Sequence, residues 1–337
     1  MTVTTKQDSK SEVTEIPEVF VGKQQIDDAL AADVIKHMEV AGVCILRNIF
    51  DQSILDQILE DFEPHVPKTD SFIGYTANGC QMTGLVTKSE TYAQKVIGNS
   101  IFEKVRNHFL TSRYGCWVQE GIQMEFENPP QLDSTVCFYL KPDSPDQLLH
   151  RDDQGHQNWN GAASEYVLGR DSGCAMFAAL TDATKENGTT RFIPGSHLWD
   201  YNVPHPIGND PRLRYAELKA GDCFMMLSSV IHASSANTTV DNRRVLLSTH
   251  VTRSHLRQEE NPYLTYDIEK VRKLPVWLQK FLGYNLLTPL CGWVDKKDPL
   301  LILNPDASPD DLYNGYGREY LALRKEADEK AAITASA

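Results

Sequence analysis

Apolar positions fall into two rhythms along this chain. In the N-terminal part they recur every three or four residues, the helical period. "DDALAADVIKHMEVAG" has this spacing and stops at Gly42. "QSILDQILEDFEPH" repeats it behind Asp51, which sits where a helix N-cap belongs. "TYAQKVIGNSIFEKVRNHFL" reads as a third helix, and the run "VCILRNIF" between the first two reads as a short strand. From about residue 115 the pattern shortens to β-type runs parted by turn residues: "IQMEFEN", "TVCFYLKPD", "GCAMFAALTDA", "TTRFIPGSH", "CFMMLSSVIHAS" and "RRVLLSTHVT". After residue 258 helical spacing returns in "DIEKVRKLPVWLQKFLGY", and the tail from 318 is charged and helical. These rhythms predict a mainly β fold with flanking helices (α+β), of sandwich or barrel type. They divide the chain into a disordered arm at 1–17 and a single domain at 18–337, with its β core at about 115–255. The helical part at 258–337 is expected to form a lid or an interface.

Composition narrows the functions open to such a fold. Of the 337 residues 41% are hydrophobic, enough for a substantial core, and the net charge is −13. That balance argues against nucleic acid or an anionic membrane as the main partner. No apolar run approaches the length needed to span a bilayer. The N-terminal stretch is polar without an apolar signal core, and the C-terminal "AITASA" is not a peroxisomal address. Seven cysteines without a Cys-x-x-Cys pair read as reduced core thiols. The expected location is cytoplasmic.

The stretch "LLHRDDQGH" places costly charges next to an apolar run. In extended backbone, residues i and i+2 face the same side, so His150 and Asp152 can share one target. Among the ten histidines only His150 has an aspartate two positions on. A second candidate, His232, closes the apolar run "CFMMLSSVI". Two imidazoles and one carboxylate suit a non-haem Fe(II) centre that keeps three coordination positions open. Arg243 and Arg244 open the next strand, and an arginine entering a β core needs an anion such as the distal carboxylate of 2-oxoglutarate.

With these motifs in order, the chain resembles the phytanoyl-CoA dioxygenase family of Fe(II)/2-oxoglutarate oxygenases, and in particular its fungal branch that tailors meroterpenoids and alkaloids. The resemblance rests on "QLLHRDD", "ENGTTRFIPGSH", "VIHASSANTT" and "RRVLLSTH", together with "EVAGVCILRNIF", and covers roughly residues 25–255. It implies a double-stranded β-helix (a jelly roll, cupin-like) with iron at the open end between two sheets. His150, Asp152 and His232 would be the metal ligands and catalytic centre, with Gln147 and Thr190 contacting 2-oxoglutarate. The implied cofactors are Fe(II), 2-oxoglutarate and O2, with ascorbate as reductant in vitro. Counting from His232 favours Arg243 for the distal carboxylate, whereas matching the strand end "STH" favours Arg244. A one-residue slip in a strand turns every side chain to the other face, so Arg244 is preferred.

The other polar residues read more plainly. Asp153 is a supporting or turn residue, His156 a pocket wall or solvated loop residue, and His205 ordinary surface. "IPGSH" turns the chain, with His197 satisfying backbone groups. The resemblance points to oxidation of an unactivated C–H bond in a bulky apolar secondary metabolite such as a meroterpenoid. The outcome could be hydroxylation, desaturation, rearrangement or peroxidation. Pocket candidates are Phe72, Tyr75 and Met82, expected to be partly shielded, and the neighbourhood of Trp159. A homodimer, or a heterodimer with a related subunit, is expected from resemblance alone. Two rivals are a phytanoyl-CoA-like hydroxylase of lipid metabolism and a partner subunit without turnover.

Overall fold

The computed structural model of this chain describes residues 15–22, 28–69, 79–119, 122–288 and 291–308, and isolated positions beyond them. The expected arm lies outside this set apart from residues 15–17. So do Phe72, Tyr75 and nearly all of the tail from 318.

The chain starts with strand β1 (Glu18–Phe20), helix α1 (Asp28–Ala41), strand β2 (Val43–Arg47) and helix α2 (Gln52–Phe62). Strand β3 (Gly79–Thr83) and helix α3 (Ser100–Leu110) follow. The strands β4 (Ser112–Gln119), β5 (Ile122–Asn128), β6 (Gln131–Leu140) and β7 (Gly173–Ala179) lead to β8 (Thr190–Phe192) and β9 (Arg214–Tyr215). Last come β10 (Cys223–Leu227), β11 (His232–Ser234) and β12 (Arg244–Thr252), then the short helices α4 (Pro262–Thr265), α5 (Ile268–Val271), α6 (Val276–Phe281) and α7 (Pro299–Leu303).

A seven-stranded sheet runs in the order β1-β2-β10-β7-β12-β6-β3, and a three-stranded sheet in the order β11-β8-β9. Strands β4 and β5 form a separate pair. The middle of the large sheet is apolar along its length. Every residue of β7 ("GCAMFAA") and β10 ("CFMML") is buried, the continuous pattern of a strand covered on both faces. Helix α3 covers β7 on one side. It presents Ile101, Phe102, Val105 and Phe109, at a spacing that puts them on one face. The small sheet closes the other side. This is the jelly roll that the resemblance implies, a sandwich of the kind that the strand series predicts.

The differences from the expected elements have local causes. The third helix is broken: Tyr92–Ile97 winds as a π-helix, and α3 restarts behind Asn99, whose side chain accepts from the N–H groups of Ile101 and Phe102. Asp51 stands at the N-cap of α2, but its side chain makes no capping hydrogen bond. Pro275 divides the expected late helix into α5 and α6, because proline cannot donate to a helix interior. "CFMMLSSVIHAS" is two strands in different sheets: β10 ends at Leu227, and His232 begins β11 after the turn at Ser228–Ile231. Of the described cysteines Cys44, Cys80, Cys137, Cys174 and Cys223 are buried and Cys291 is exposed, all as free thiols. No described helix is long and apolar enough to cross a membrane.

Candidate metal centre and its cavity

The motif "QLLHRDD" does not continue strand β6, as its sequence position suggests. β6 ends at Leu140, and the chain turns back so that residues 144–150 run antiparallel beside β11. The Gln147 N–H donates to the Ser234 carbonyl at 3.0 Å. His150 and His232 exchange both backbone hydrogen bonds, each at 3.0 Å. The two histidines are therefore direct partners across a strand pair, and their rings lie on the same side, with centroids 4.4 Å apart. Extended backbone at Arg151 (φ −120°, ψ 139°) then turns Asp152 back to that side.

The alternation also decides where the other two charges go. Arg151 and Asp153 point into the protein and are buried. The Arg151 guanidinium lies over the Tyr201 ring at 4.0 Å and donates to the Ser229 carbonyl at 2.8 Å. Asp153 accepts from the Tyr201 hydroxyl at 2.5 Å and from Asn158 at 2.7 Å. Burial pushes its carboxyl up to about 6 against those hydrogen bonds. Both backbone N–H groups of Asp152 and Asp153 donate to the Ser228 carbonyl, at 3.1 and 3.2 Å. His205 is not ordinary surface. Its Nδ1 lies 3.1 Å from the Leu149 carbonyl and its Nε2 3.2 Å from Arg151, so it braces the segment that carries His150.

One donor atom from each of His150, Asp152 and His232 lies within 4.8 Å of the others. Asp152 Oδ1 is 3.4 Å from His150 Nε2 and 3.6 Å from His232 Nε2. The far nitrogens are engaged: His150 Nδ1 lies 2.9 Å from the Leu148 carbonyl and His232 Nδ1 3.2 Å from the Val230 carbonyl. A carbonyl at Nδ1 holds the proton there and leaves the Nε2 lone pair for a metal. Burial pulls the His232 imidazole down to about 4, with Asp152 opposing. Burial likewise works to raise the Asp152 carboxyl, but His232, His150 and His250 outweigh it and hold it below the usual carboxylate range. At His150, burial is outweighed by Asp152, and the ring is raised. Asp152 Oδ2 is buried with no hydrogen-bond donor. A carboxylate with an orphaned oxygen between two imidazoles that offer lone pairs fits a divalent metal and would be costly without one.

His150 and His232 open into a cavity of about 450 Å³ between the two sheets. Its walls include Gln147, Thr190, Ser234, Phe177, Arg244, Leu246 and His250. The Gln147 carbonyl oxygen accepts from the Ser234 N–H at 3.0 Å, so its amide NH2 is the part left to offer a ligand. Arg244 is buried on the cavity side and donates to the Gly188 carbonyl. Gly188 has a φ of +91°, and a Cβ there would come within 2.5 Å of Leu140 and 2.9 Å of the Ser235 carbonyl, so only glycine lets that carbonyl stand under Arg244. Arg243 is exposed, its guanidinium 5.3 Å from the Tyr139 ring centre. The structure brings Arg244 to the cavity and leaves Arg243 outside it.

The pocket candidates fare differently. Met82 is 3% exposed, but in β3 it alternates with Gln81 and Thr83, and those two line the cavity. Trp159 is 64% exposed and does not line it. His156 stands between Asp133, at 3.5 Å, and the Arg257 carbonyl, at 3.1 Å. His197 is fully buried, with Nε2 3.1 Å from the Glu39 carbonyl.

Two groups of lining residues went unread in the sequence. His250 shares the face of β12 with Arg244 and Leu246, and counting by twos from Arg244 reaches it. Glu259, Glu260 and Asn261 follow the last strand on a loop. No local pattern marks them; Glu259 and Glu260 are held there by Ser134 and Thr135 of β6.

A jelly roll with two imidazoles and one carboxylate at its mouth defines the class of Fe(II)/2-oxoglutarate oxygenases. The family model described as phytanoyl-CoA dioxygenase (PhyH) matches residues 38–245. The protein named Dioxygenase cnsJ, from Penicillium expansum, is 55% identical over 313 residues, covering 92% of this chain and 94% of its own length. Dioxygenase himG, from Aspergillus japonicus, is 34% identical over 283 residues, 81% of this chain and 87% of its own. Among solved structures, HygX from Streptomyces hygroscopicus with nickel, 2-oxoglutarate and hygromycin B bound shares the fold, with a TM-score of 0.50, 13% identity, and coverage of 68% of this chain and 89% of that one. The chain belongs to the phytanoyl-CoA dioxygenase family, and its activity is that of a 2-oxoglutarate-dependent dioxygenase.

Proposed function

We propose that His150, Asp152 and His232 hold the iron, that Gln147, Thr190 and Arg244 hold 2-oxoglutarate, and that the enzyme oxidises an unactivated C–H bond of a small secondary metabolite. The observation that carries the ligand assignment is the convergence of three donor atoms within 4.8 Å, with Asp152 Oδ2 orphaned beside them. When bound, iron with 2-oxoglutarate supplies the oxidant for the C–H bond. The protein binds, orients and dries the site. Arg244 neutralises the distal carboxylate of the co-substrate in a buried setting, where an unpaired charge is costly. Phe177, Leu246, Phe138 and Val136 give apolar walls that exclude water near the metal.

The cavity also bears on the substrate. Its apolar middle supports the reading of a bulky carbon skeleton. Beyond it the wall carries Gln81, Ser134, Glu259, Glu260 and Asn261, so the molecule that fits also offers hydrogen-bond donors. Among the described lining residues Arg244 is the only lysine or arginine, and the wall also carries two glutamates. A CoA thioester, with its several phosphate charges, is poorly matched to such a wall. The relatives' fungal sources support a role in secondary metabolism.

The test is anaerobic titration of the metal-free protein with Fe(II), followed by succinate release from 2-oxoglutarate with Fe(II) and ascorbate, with and without a fungal extract. Stoichiometric binding and extract-stimulated succinate release are expected. Binding that survives His150→Ala and His232→Ala together would overturn the ligand assignment. Equal stimulation by acyl-CoA thioesters would overturn the substrate reading.

A further inference from the structure

His250 lines the cavity but has no part in the proposed mechanism. His250 stands on β12, with its Nδ1 3.8 Å from Asp152 Oδ2. Its ring meets Phe177 edge-on, with centroids 5.6 Å apart and planes at 86°. Among the described residues its ring makes no hydrogen bond. The register of β12 against β6 shifts between His250 and Val251. Such irregularities re-aim side chains beside active sites.

We infer that His250 is a positioning residue that steers the Asp152 carboxylate. The carboxylate has two distinguishable oxygens in this fold. Oδ1 faces both ligand histidines, at 3.4 and 3.6 Å. Oδ2 faces His250 and has no donor. A movement of under about 1 Å brings Nδ1–H of His250 within hydrogen-bond range of Oδ2. Phe177, packed against the ring, limits its alternatives. His250 then occupies Oδ2, leaves Oδ1 as the oxygen for the metal, and stops the carboxylate from turning its second oxygen to the coordination sphere. Partners that orient a ligand in this way typically contribute about 10–100-fold in metal affinity.

This inference rests on Asp152 being a ligand, and the experiment separates the two claims. Metal-free protein is titrated with Mn(II), and free Mn(II) is followed by its electron paramagnetic resonance signal, a readout independent of turnover. His250→Leu removes the donor. His250→Asn keeps one, because Asn Nδ2 stands where His Nδ1 stood. We expect His250→Leu to weaken Mn(II) binding about 10–100-fold, and His250→Asn to restore it to within a few-fold of the wild type. Wild-type affinity in His250→Leu, or equal weakness in both variants, overturns the role of His250. Should His250→Leu fail to fold, His250→Met, close in volume to histidine, takes its place. His150→Ala is the control for the centre itself. If it abolishes Mn(II) binding while His250→Leu does not weaken it, only the His250 inference fails. If His150→Ala binds as the wild type does, the ligand assignment fails with it.

Discussion

The cavity has two unlike ends, and one pair of strands defines both. At one end Arg244 of β12 stands opposite Leu140 of β6. Six residues on, roughly 20 Å along an extended strand, His250 stands opposite Ser134. The Arg244 end gathers a buried cation with the amide of Gln147 and the hydroxyl of Thr190. The Ser134 end gathers carboxylates: Glu259, accepting from Ser134 at 3.0 Å, and Glu260, accepting from Thr135 at 3.2 Å. A small diacid such as 2-oxoglutarate is matched to the first end and repelled by the second. On the proposed reading, this contrast gives a diacid and a donor-bearing substrate separate places in the cavity that His150 and His232 also line.

Removing a proposed metal ligand should have the largest effect. Asp152→Ala is expected to lower 2-oxoglutarate turnover more than about 10³-fold, beyond the loss from removing an outer partner, as measured by succinate release. Turnover within tenfold of the wild type would mean that the centre lies elsewhere. The next effect tests the cationic end. Arg244→Leu is expected to raise the KM for 2-oxoglutarate by about 100-fold, as for losing one partner of a buried charge pair, while Arg243→Leu stays within a few-fold. The reverse order would exchange their roles. Arg244→Lys should recover only part of the loss, since an ammonium lacks the planar fork.

The two ends also differ in how far the amino-acid pattern revealed them. The Arg244 end was legible because its residues lie in short motifs on extended backbone, where spacing of two fixes facing. The choice of Arg244 over Arg243 follows from that alternation, and the buried and exposed positions of the two agree with it. His232 was legible as a candidate but was set on the wrong element. "CFMMLSSVIHAS" is apolar throughout, and nothing in its periodicity marks the corner at Ser228–Ile231, where the chain changes sheets. The Ser134 end was hidden for a different reason. Glu259 and Glu260 owe their places to hydrogen bonds reaching 125 residues back along the chain. Met82 shows the limit of composition: expected partly shielded in the pocket, it is buried, and its face of β3 is turned from the cavity.

The acidic end gives the smaller effects. Glu259 is exposed at the rim, and only one of its oxygens is engaged by Ser134. Glu259→Gln is expected to leave the KM for 2-oxoglutarate within twofold. It should weaken half-saturation by the extract component about tenfold, the scale of one hydrogen bond to a charged group. Equal shifts in both constants would mean that the two ends are not separate sites.

Glu260 is the subtler case, because its carboxylate serves the fold. It accepts from the Gly84 N–H at 2.7 Å, from Thr135 at 3.2 Å and from the Tyr266 hydroxyl at 3.0 Å, tying β6 to the segments after β3 and around α4. Burial raises its carboxyl above the usual glutamate value, against the hydrogen bonds from Tyr266, Gly84 and Thr135. The sign of its pH effect follows. A carboxyl raised in the folded state binds a proton there before the unfolded chain does, so folding stability rises as pH falls from neutral into the window just above 4.5. Glu260→Gln cannot titrate and keeps an acceptor for Gly84. Urea midpoints of the two proteins at pH 7 and pH 5 should therefore move in favour of the wild type at the lower pH. A difference that is constant, or that favours the variant at pH 5, would show that Glu260 gains more from its three donors than it loses by burial. The acidic end would then be held as rigidly as the cationic one.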